Sequence, residues 1–130
     1  MTDVARKIHL GPGQRLRVLQ APDTIEALLG PLPDGASLAS PGEVADVTLL
    51  FARDLAGLER HLPDAAGPVA DDRRLWVAYP KKSGPLASDL DRDGLVAAAE
   101  RVAALTGVTL VSLDPTWSAM RLRPAARYGR

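Results

Sequence analysis

The run "VADVTLLFA", residues 44–52, is the stretch that decides the class of fold. Its side chains are almost all apolar, and they do not alternate with polar side chains as they would in a strand with one face in water. A short apolar run with β-branched residues is typical of a strand covered by helices on both faces. The run therefore predicts a central strand of an α/β protein.

Helices and strands alternate on both sides of this strand. Apolar residues at helical spacing, such as Leu55, Leu58 and Leu62, predict the helices, and runs such as "RLWVAYP" predict the strands. The predicted order is strand 15–20, helix 24–29, a short strand at 36–39, strand 44–52, helix 54–62, strand 74–80, and a helix from about residue 93 to Thr106 and Gly107.

The chain closes with "VTLVSLD", residues 108–114, and "SAMRLRP", residues 118–124, which predict an antiparallel hairpin. Alternating strands and helices predict right-handed crossovers over a parallel sheet. We therefore predict a single three-layer, Rossmann-like α/β domain at residues 15–124, with a mostly parallel sheet and an antiparallel C-terminal hairpin. Residues 1–14 lack an apolar period, so we interpret them as a flexible arm, and residues 125–130 as a tail.

Composition argues against several classes of function. Sixteen Lys and Arg residues balance sixteen Asp and Glu residues, so no net field would hold a nucleic acid. No run approaches the roughly 20 apolar residues that span a bilayer. The absence of Cys excludes disulfides and thiolate metal sites. We expect a cytoplasmic monomer or small homo-oligomer without membrane or nucleic-acid partners.

The loop after residues 74–80 is the predicted site. Only three lysines occur in the chain, and Lys81 and Lys82 lie together where ligands of parallel sheets bind, beyond a strand's carboxyl end. Backbone N–H groups of a Lys-Lys-Ser-Gly loop would suit a small anion. Trp117, in the hairpin connection, is expected beside this loop. The predicted ligand-binding residues are Tyr79, Lys81, Lys82, Ser83, Asp89, Asp93, Trp117 and Ser118.

A calcium-loop pattern overlaps this region. Asp89, Asp91, Asp93, Gly94 and Glu100 match D-x-D-x-D-G-x5-E in full. The preceding segment contains Pro and Gly and cannot be the first helix of an EF-hand, and Glu100 would lie about two helical turns from the other carboxylates. We therefore favour a capping role for Asp91 or Asp93, and we predict no metal site.

The order of elements resembles the class I methyltransferase fold. "DVTLLFARDLAGLERHLP", residues 46–63, resembles its fourth strand and following helix, and "RRLWVAYPKKSG", residues 73–84, its fifth strand. That family binds adenosylmethionine through a Gly-rich turn after the first strand and an acidic residue after the second. Here "QAPD", residues 20–23, follows the first strand and contains no glycine. After the predicted second strand, Glu43 is the only nearby carboxylate. The resemblance implies a methyltransferase-like fold without a cofactor.

The chain also resembles a family of small bacterial proteins of unknown function. The matching segments are "QAPDTIEALLGPLPDG", "LWVAYPKKSG", "DLDRDGL" and "DPTWSAMRLRP". This resemblance covers nearly the whole chain and implies no activity.

Two classes of function follow. The first is a non-catalytic binding or regulatory domain that recognises a partner or a small anionic ligand at residues 81–83. The second is a small enzyme of unknown reaction that uses Lys81 or Lys82 with Asp89 or Asp93. The first is favoured because no nucleophile and base can be paired from the sequence, for Ser83 has no nearby His.

Overall fold

A computed structural model describes residues 4–40, 43–66 and 74–124 of the chain. Within these ranges four helices and six strands are found. The helices are α1 (Val4–Lys7), α2 (Ile25–Leu29), α3 (Leu55–Ala66) and α4 (Arg92–Ala103), and the strands are β1 (Arg15–Leu19), β2 (Ser37–Leu38), β3 (Val47–Phe51), β4 (Arg74–Pro80), β5 (Leu105–Ser112) and β6 (Trp117–Pro124).

The six strands form one sheet in the order β2-β1-β3-β4-β6-β5. The first four strands in this order run parallel, whereas β6 is antiparallel to β4 and β5 is antiparallel to β6. The predicted mostly parallel sheet with an antiparallel C-terminal hairpin is therefore confirmed. The second strand of the hairpin, rather than the first, joins the parallel part of the sheet, so β5 becomes an edge.

The middle of the sheet is buried on both faces. Every residue of β3 is buried. Trp76 and Ala78 of β4 pack with α1 and α2 on one face, here called the Trp76 face. Val77 and Tyr79 of β4 pack with α3 and α4 on the other face, here called the Val77 face. These two cores make the predicted three layers, and they explain why residues 47–51 do not alternate with polar side chains.

Residues 4–14 do not form the predicted arm. Val4 and Ile8 are completely buried, and the Trp76 Nε1–H donates a hydrogen bond to the Ile8 carbonyl at 3.0 Å. Gly13 adopts φ 74°, and its N–H donates to the Asp34 carbonyl at 2.9 Å. The interpretation was wrong because a four-residue helix is too short to show a period. Residues 1–3 and the predicted tail at 125–130 lie outside the described residues.

Helix α4 ends earlier than predicted. Ala104 caps α4 in the left-handed conformation, at φ 56°, and β5 begins at Leu105. Gly107 therefore lies in the sheet rather than at a helix end. A Cβ atom on Gly107 would lie 2.4 Å from Met120 Sδ, and the strand register shifts between Gly107 and Thr109. The glycine allows the bulged strand to approach β6 closely.

Replacing Ile8 tests whether the N-terminal segment is part of the core. Ile8→Ala should lower the free energy of unfolding by about 2–5 kcal/mol, because it leaves a cavity under Trp76. Val44→Ala is the control, since Val44 is 60% exposed and should change stability by less than about 0.5 kcal/mol. Urea unfolding measures both variants. An Ile8→Ala protein as stable as the control would show that residues 4–14 are independent of the core.

Candidate functional site

The candidate site is a pocket at the carboxyl end of β4, on the Val77 face of the sheet. It measures about 590 Å³, within the range of roughly 300–1,000 Å³ that is usual for small-molecule sites. The chain reaches it from β4, leaves through the loop at residues 81–91 and enters α4. Its lining residues are Tyr79, Lys81, Lys82, Ser83, Asp91, Arg92, Asp93 and Ser118.

The loop at residues 81–84 is held against the connection between β5 and β6. The Lys81 N–H donates to the Thr116 carbonyl at 2.8 Å, and the Gly84 N–H donates to the Lys81 carbonyl at 3.1 Å. A Cβ atom on Gly84 would lie only 2.8 Å from the Pro115 carbonyl oxygen. Glycine is therefore required for the close approach that positions the two lysines.

The two lysine side chains have different surroundings. The Lys81 ammonium group donates to the neutral hydroxyl of Ser112. The Lys82 Nζ lies 3.7 Å from Asp91 Oδ2, and its side chain is 82% exposed. In the part of the chain that the structure describes, the backbone N–H groups of Lys82 and Ser83 have no recorded acceptor. The loop thus contributes two lysine side chains to the lining of the pocket.

Asp91 and Tyr79 are two residues of the pocket whose pKa values are shifted. The Gly94 N–H donates to Asp91 Oδ1 at 2.8 Å, so this carboxylate caps α4, as predicted for Asp91 or Asp93. That hydrogen bond, together with the Lys82 charge, holds the Asp91 pKa below its usual value. Burial raises the pKa of the Tyr79 phenol, so the phenol stays neutral at physiological pH.

Six of the eight predicted ligand-binding residues line this pocket, and two do not. Asp89 Oδ1 instead accepts the Leu55 N–H at 2.9 Å, at the start of α3. Trp117 lies on the Trp76 face, with its ring 5.0 Å from that of Phe51 and nearly perpendicular to it. Trp117 and Ser118 are separated because successive side chains of a strand point to opposite faces.

Asp91 and Arg92 are the two lining residues that were not among the predicted ligand-binding residues. Asp91 was predicted only as a helix cap, and Arg92 occupies the first position of α4, directly after it. The signal that could have found Arg92 is the cap itself, because the first turn of a helix that follows a site loop faces the same edge of the sheet.

The calcium-loop pattern is divided between two helices. Asp89 is bonded to the first turn of α3 and Asp91 to the first turn of α4, while Glu100 lies further along α4. In residues 4–40, 43–66 and 74–124, no three His, Asp or Glu side chains are grouped closely enough to hold a metal ion. The pattern is explained by the two caps.

The residues where a methyltransferase-like fold would hold adenosylmethionine do not fit that cofactor. Gln20 follows β1 in the left-handed conformation, at φ 56°, where a glycine turn would be expected. Glu43 accepts hydrogen bonds from the Ser40 N–H at 2.8 Å and from Arg15 Nε at 3.1 Å, and these bonds hold its pKa below the usual value. Because Arg15 begins β1, Glu43 lies toward the amino end of that strand, away from the edge where a ribose would bind.

The class of protein is a Rossmann-like α/β domain with a methyltransferase-like fold. Two solved structures share it: a protein of the NADB-Rossmann superfamily from Streptococcus agalactiae, with a TM-score of 0.54 at 9% identity over 95% of this chain and 68% of that chain, and the tRNA methyltransferase TrmK from B. subtilis, with a TM-score of 0.51 at 8% identity over 98% and 69%. At such identities the likeness concerns the fold alone.

The chain is similar to uncharacterized mycobacterial proteins. Relatives from Mycobacterium bovis and Mycobacterium tuberculosis are 41% identical over 90 residues, which cover 68% of this chain and 54% of each relative. The chain therefore spans about half the length of these relatives. It matches no protein-family model. The two expected resemblances, to bacterial proteins of unknown function and to the methyltransferase fold, are confirmed.

No helix of the described residues is long and apolar enough to cross a membrane.

Replacing Gly84 tests how the lysine loop is held. Gly84→Ala should lower the free energy of unfolding by about 1–3 kcal/mol, because the added methyl group meets a backbone oxygen that cannot move freely. The control is Gly11→Ala, whose Cβ would lie 3.4 Å from the end of the Gln14 side chain. Thermal unfolding of both variants is the measurement. Equal stability of the two would contradict the close approach at Pro115.

Titration with adenosylmethionine tests the prediction that this domain does not bind that cofactor. We expect no heat of binding in isothermal titration calorimetry, since Gln20 stands in place of the glycine turn and Glu43 lies toward the amino end of β1. A micromolar dissociation constant would show that this fold binds it through residues other than those of the family pattern.

Proposed function

We propose that this domain is a non-catalytic binding or regulatory module that recognises a small anionic ligand, or an anionic group of a partner protein, at the Lys81–Ser83 edge. The observation that carries the proposal is the pocket at the carboxyl end of β4, into which Lys81, Lys82 and Ser83 converge. Ligands of α/β sheets bind at this edge because the loops that follow the strands meet there.

The balance of charge in the pocket favours an anion. Three cationic side chains line it, but only two carboxylates. Asp91 lies near Lys82, and Asp93 lies 3.7 Å from Arg92 Nε. Lys81 is left with a neutral partner, the Ser112 hydroxyl. Among the described residues, one positive charge of the pocket therefore has no carboxylate partner. An anionic ligand would supply the missing negative charge, with the Lys82 and Ser83 N–H groups as further donors.

The contacts of the lysines argue against the enzyme alternative. That alternative requires Lys81 or Lys82 to work with Asp89 or Asp93. The Asp89 carboxylate is bonded to the backbone of α3, and the carboxylate nearest Lys82 is the helix cap Asp91. In the described ranges Ser83 makes no hydrogen bond to a histidine, and the ring of His9 lies 5.8 Å from that of Trp76. An activated nucleophile needs such a base within hydrogen-bonding reach.

The experiment is a binding screen on a charge-deleted loop. Lys81→Ala combined with Lys82→Ala should abolish or strongly weaken binding of phosphorylated and carboxylated metabolites, and of protein partners recovered in a pull-down. The two side chains are at the surface, so stability should change by no more than roughly 0.5 kcal/mol. Calorimetry on each metabolite and a thermal scan give the two measurements.

The matched control removes two cations elsewhere. Arg60→Ala combined with Arg101→Ala changes the net charge equally on exposed positions of α3 and α4, outside the pocket. It should bind as the wild type does. If every ligand or partner found binds the lysine variant as well as the wild type, the loop is only a connection and the proposed site is wrong.

A further inference from the structure

The crossovers after β1 and β3 lie on opposite faces of the sheet. The chain after β1 forms α2, which packs on the Trp76 face through Leu28. The chain after β3 forms α3, which packs on the Val77 face through Leu58. Since β1 and β3 are adjacent and parallel, the sheet opens a crevice at their carboxyl ends, the place where ligands of doubly wound folds bind.

A second cavity lies at this crevice, and the proposed function does not use it. It measures about 440 Å³, within the usual range for small-molecule sites, roughly 300–1,000 Å³. It lies on the Trp76 face, whereas the lysine pocket lies on the Val77 face. Its lining residues are Pro22, Asp23, Thr24, Ala27, Leu28, Arg53, Pro85, Leu86, Asp114, Thr116 and Trp117.

The wall of this cavity is apolar and firmly held. Leu28 and Trp117 belong to the buried core of the Trp76 face, and Leu86 packs against that core. Asp114 Oδ1 accepts the N–H groups of Thr116 and Trp117, both at 2.8 Å, so this carboxylate is part of the turn that positions the indole. An apolar ligand group would contact a preformed surface here.

Two side chains of opposite charge complete the lining. Arg53 follows β3, and Asp23 follows β1. Within the described ranges neither makes an ion pair, with the other or with a third residue. The cavity therefore offers one guanidinium group, the Asp23 carboxylate and an apolar wall, while the second carboxylate of the lining, Asp114, is engaged through Oδ1 in the turn. A ligand that matches all three features carries an anionic group, a cationic group and an apolar body.

We propose that this cavity binds a free apolar α-amino acid. The amino acid carboxylate would pair with Arg53, its ammonium group with Asp23, and its side chain would lie against Leu28, Leu86 and Trp117. This ligand and this site differ from the anion and the lysine loop of the proposed function, so either proposal can fail without the other.

Calorimetry with matched probes tests the proposal. L-Phenylalanine and L-leucine are compared with 3-phenylpropionate, which lacks the ammonium group, and with phenylalaninamide, which lacks the carboxylate. The wild type should bind at least one amino acid, and each phenylalanine analogue should bind roughly tenfold more weakly than phenylalanine, as expected when a charged hydrogen bond is lost. Trp117 fluorescence should change on binding.

Three variants assign the contacts. Arg53→Gln should lose the preference for phenylalanine over its amide, and Asp23→Asn the preference over 3-phenylpropionate. Ala27→Trp extends a large side chain from an exposed position of the lining and should block binding. The lysine double variant should bind amino acids as the wild type does. The proposal is overturned if neither amino acid binds at millimolar concentration, or if Arg53→Gln or Ala27→Trp binds as the wild type does.

Discussion

The parallel pairing of β3 with β4 is the constraint on which the rest of the structure depends. Side chains of both strands point alternately to two faces, and those of β3 are buried on both. A sheet of this kind is stable only if helices cover each face. The chain meets this requirement by placing α1 and α2 on the Trp76 face and α3 and α4 on the Val77 face. The connections that lead to α2, α3 and α4 leave the carboxyl ends of β1, β3 and β4, and both cavities lie at that edge.

Patterns of short period made most of this fold predictable from the sequence. The apolar run at residues 47–51 and the leucines of α3 have periods that elementary packing explains, so the parallel sheet and its helices could be foreseen. Contacts between residues far apart in the sequence could not be predicted in this way. The hydrogen bond between Trp76 and Ile8 joins residues 68 positions apart, and nothing in residues 4–14 announces it. Gly107 resembles a helix stop in the sequence, but a glycine is needed at this position because Met120 of β6 lies so close to it.

The candidate site was predictable to the extent that it is local. Tyr79, Lys81, Lys82 and Ser83 are consecutive or nearly so, and they remain together in the pocket. Asp89 was predicted there because it follows the lysine loop closely in sequence, and Trp117 because it was expected in the hairpin connection beside that loop. Asp89 instead caps a helix 34 positions away in sequence, which only the packing of α3 against the loop could reveal. Trp117 follows the period of two of its strand, which separates it from its neighbour Ser118.

That alternation along β6 also explains why one edge of the sheet can carry two cavities of different chemistry. Ser118 faces a polar pocket with an excess of positive charge, while Trp117 forms the wall of an apolar cavity on the opposite face. The same connection supports both, because the Thr116 carbonyl accepts the Lys81 N–H. The fold that this chain shares with a methyltransferase at 8% identity does not indicate which of the two cavities is used, since function depends on the side chains that the fold presents. In this chain Gln20 stands where the methyltransferase family has a glycine turn, and our two proposals assign binding to the side chains of the lysine loop and to Arg53 and Asp23 beside Trp117.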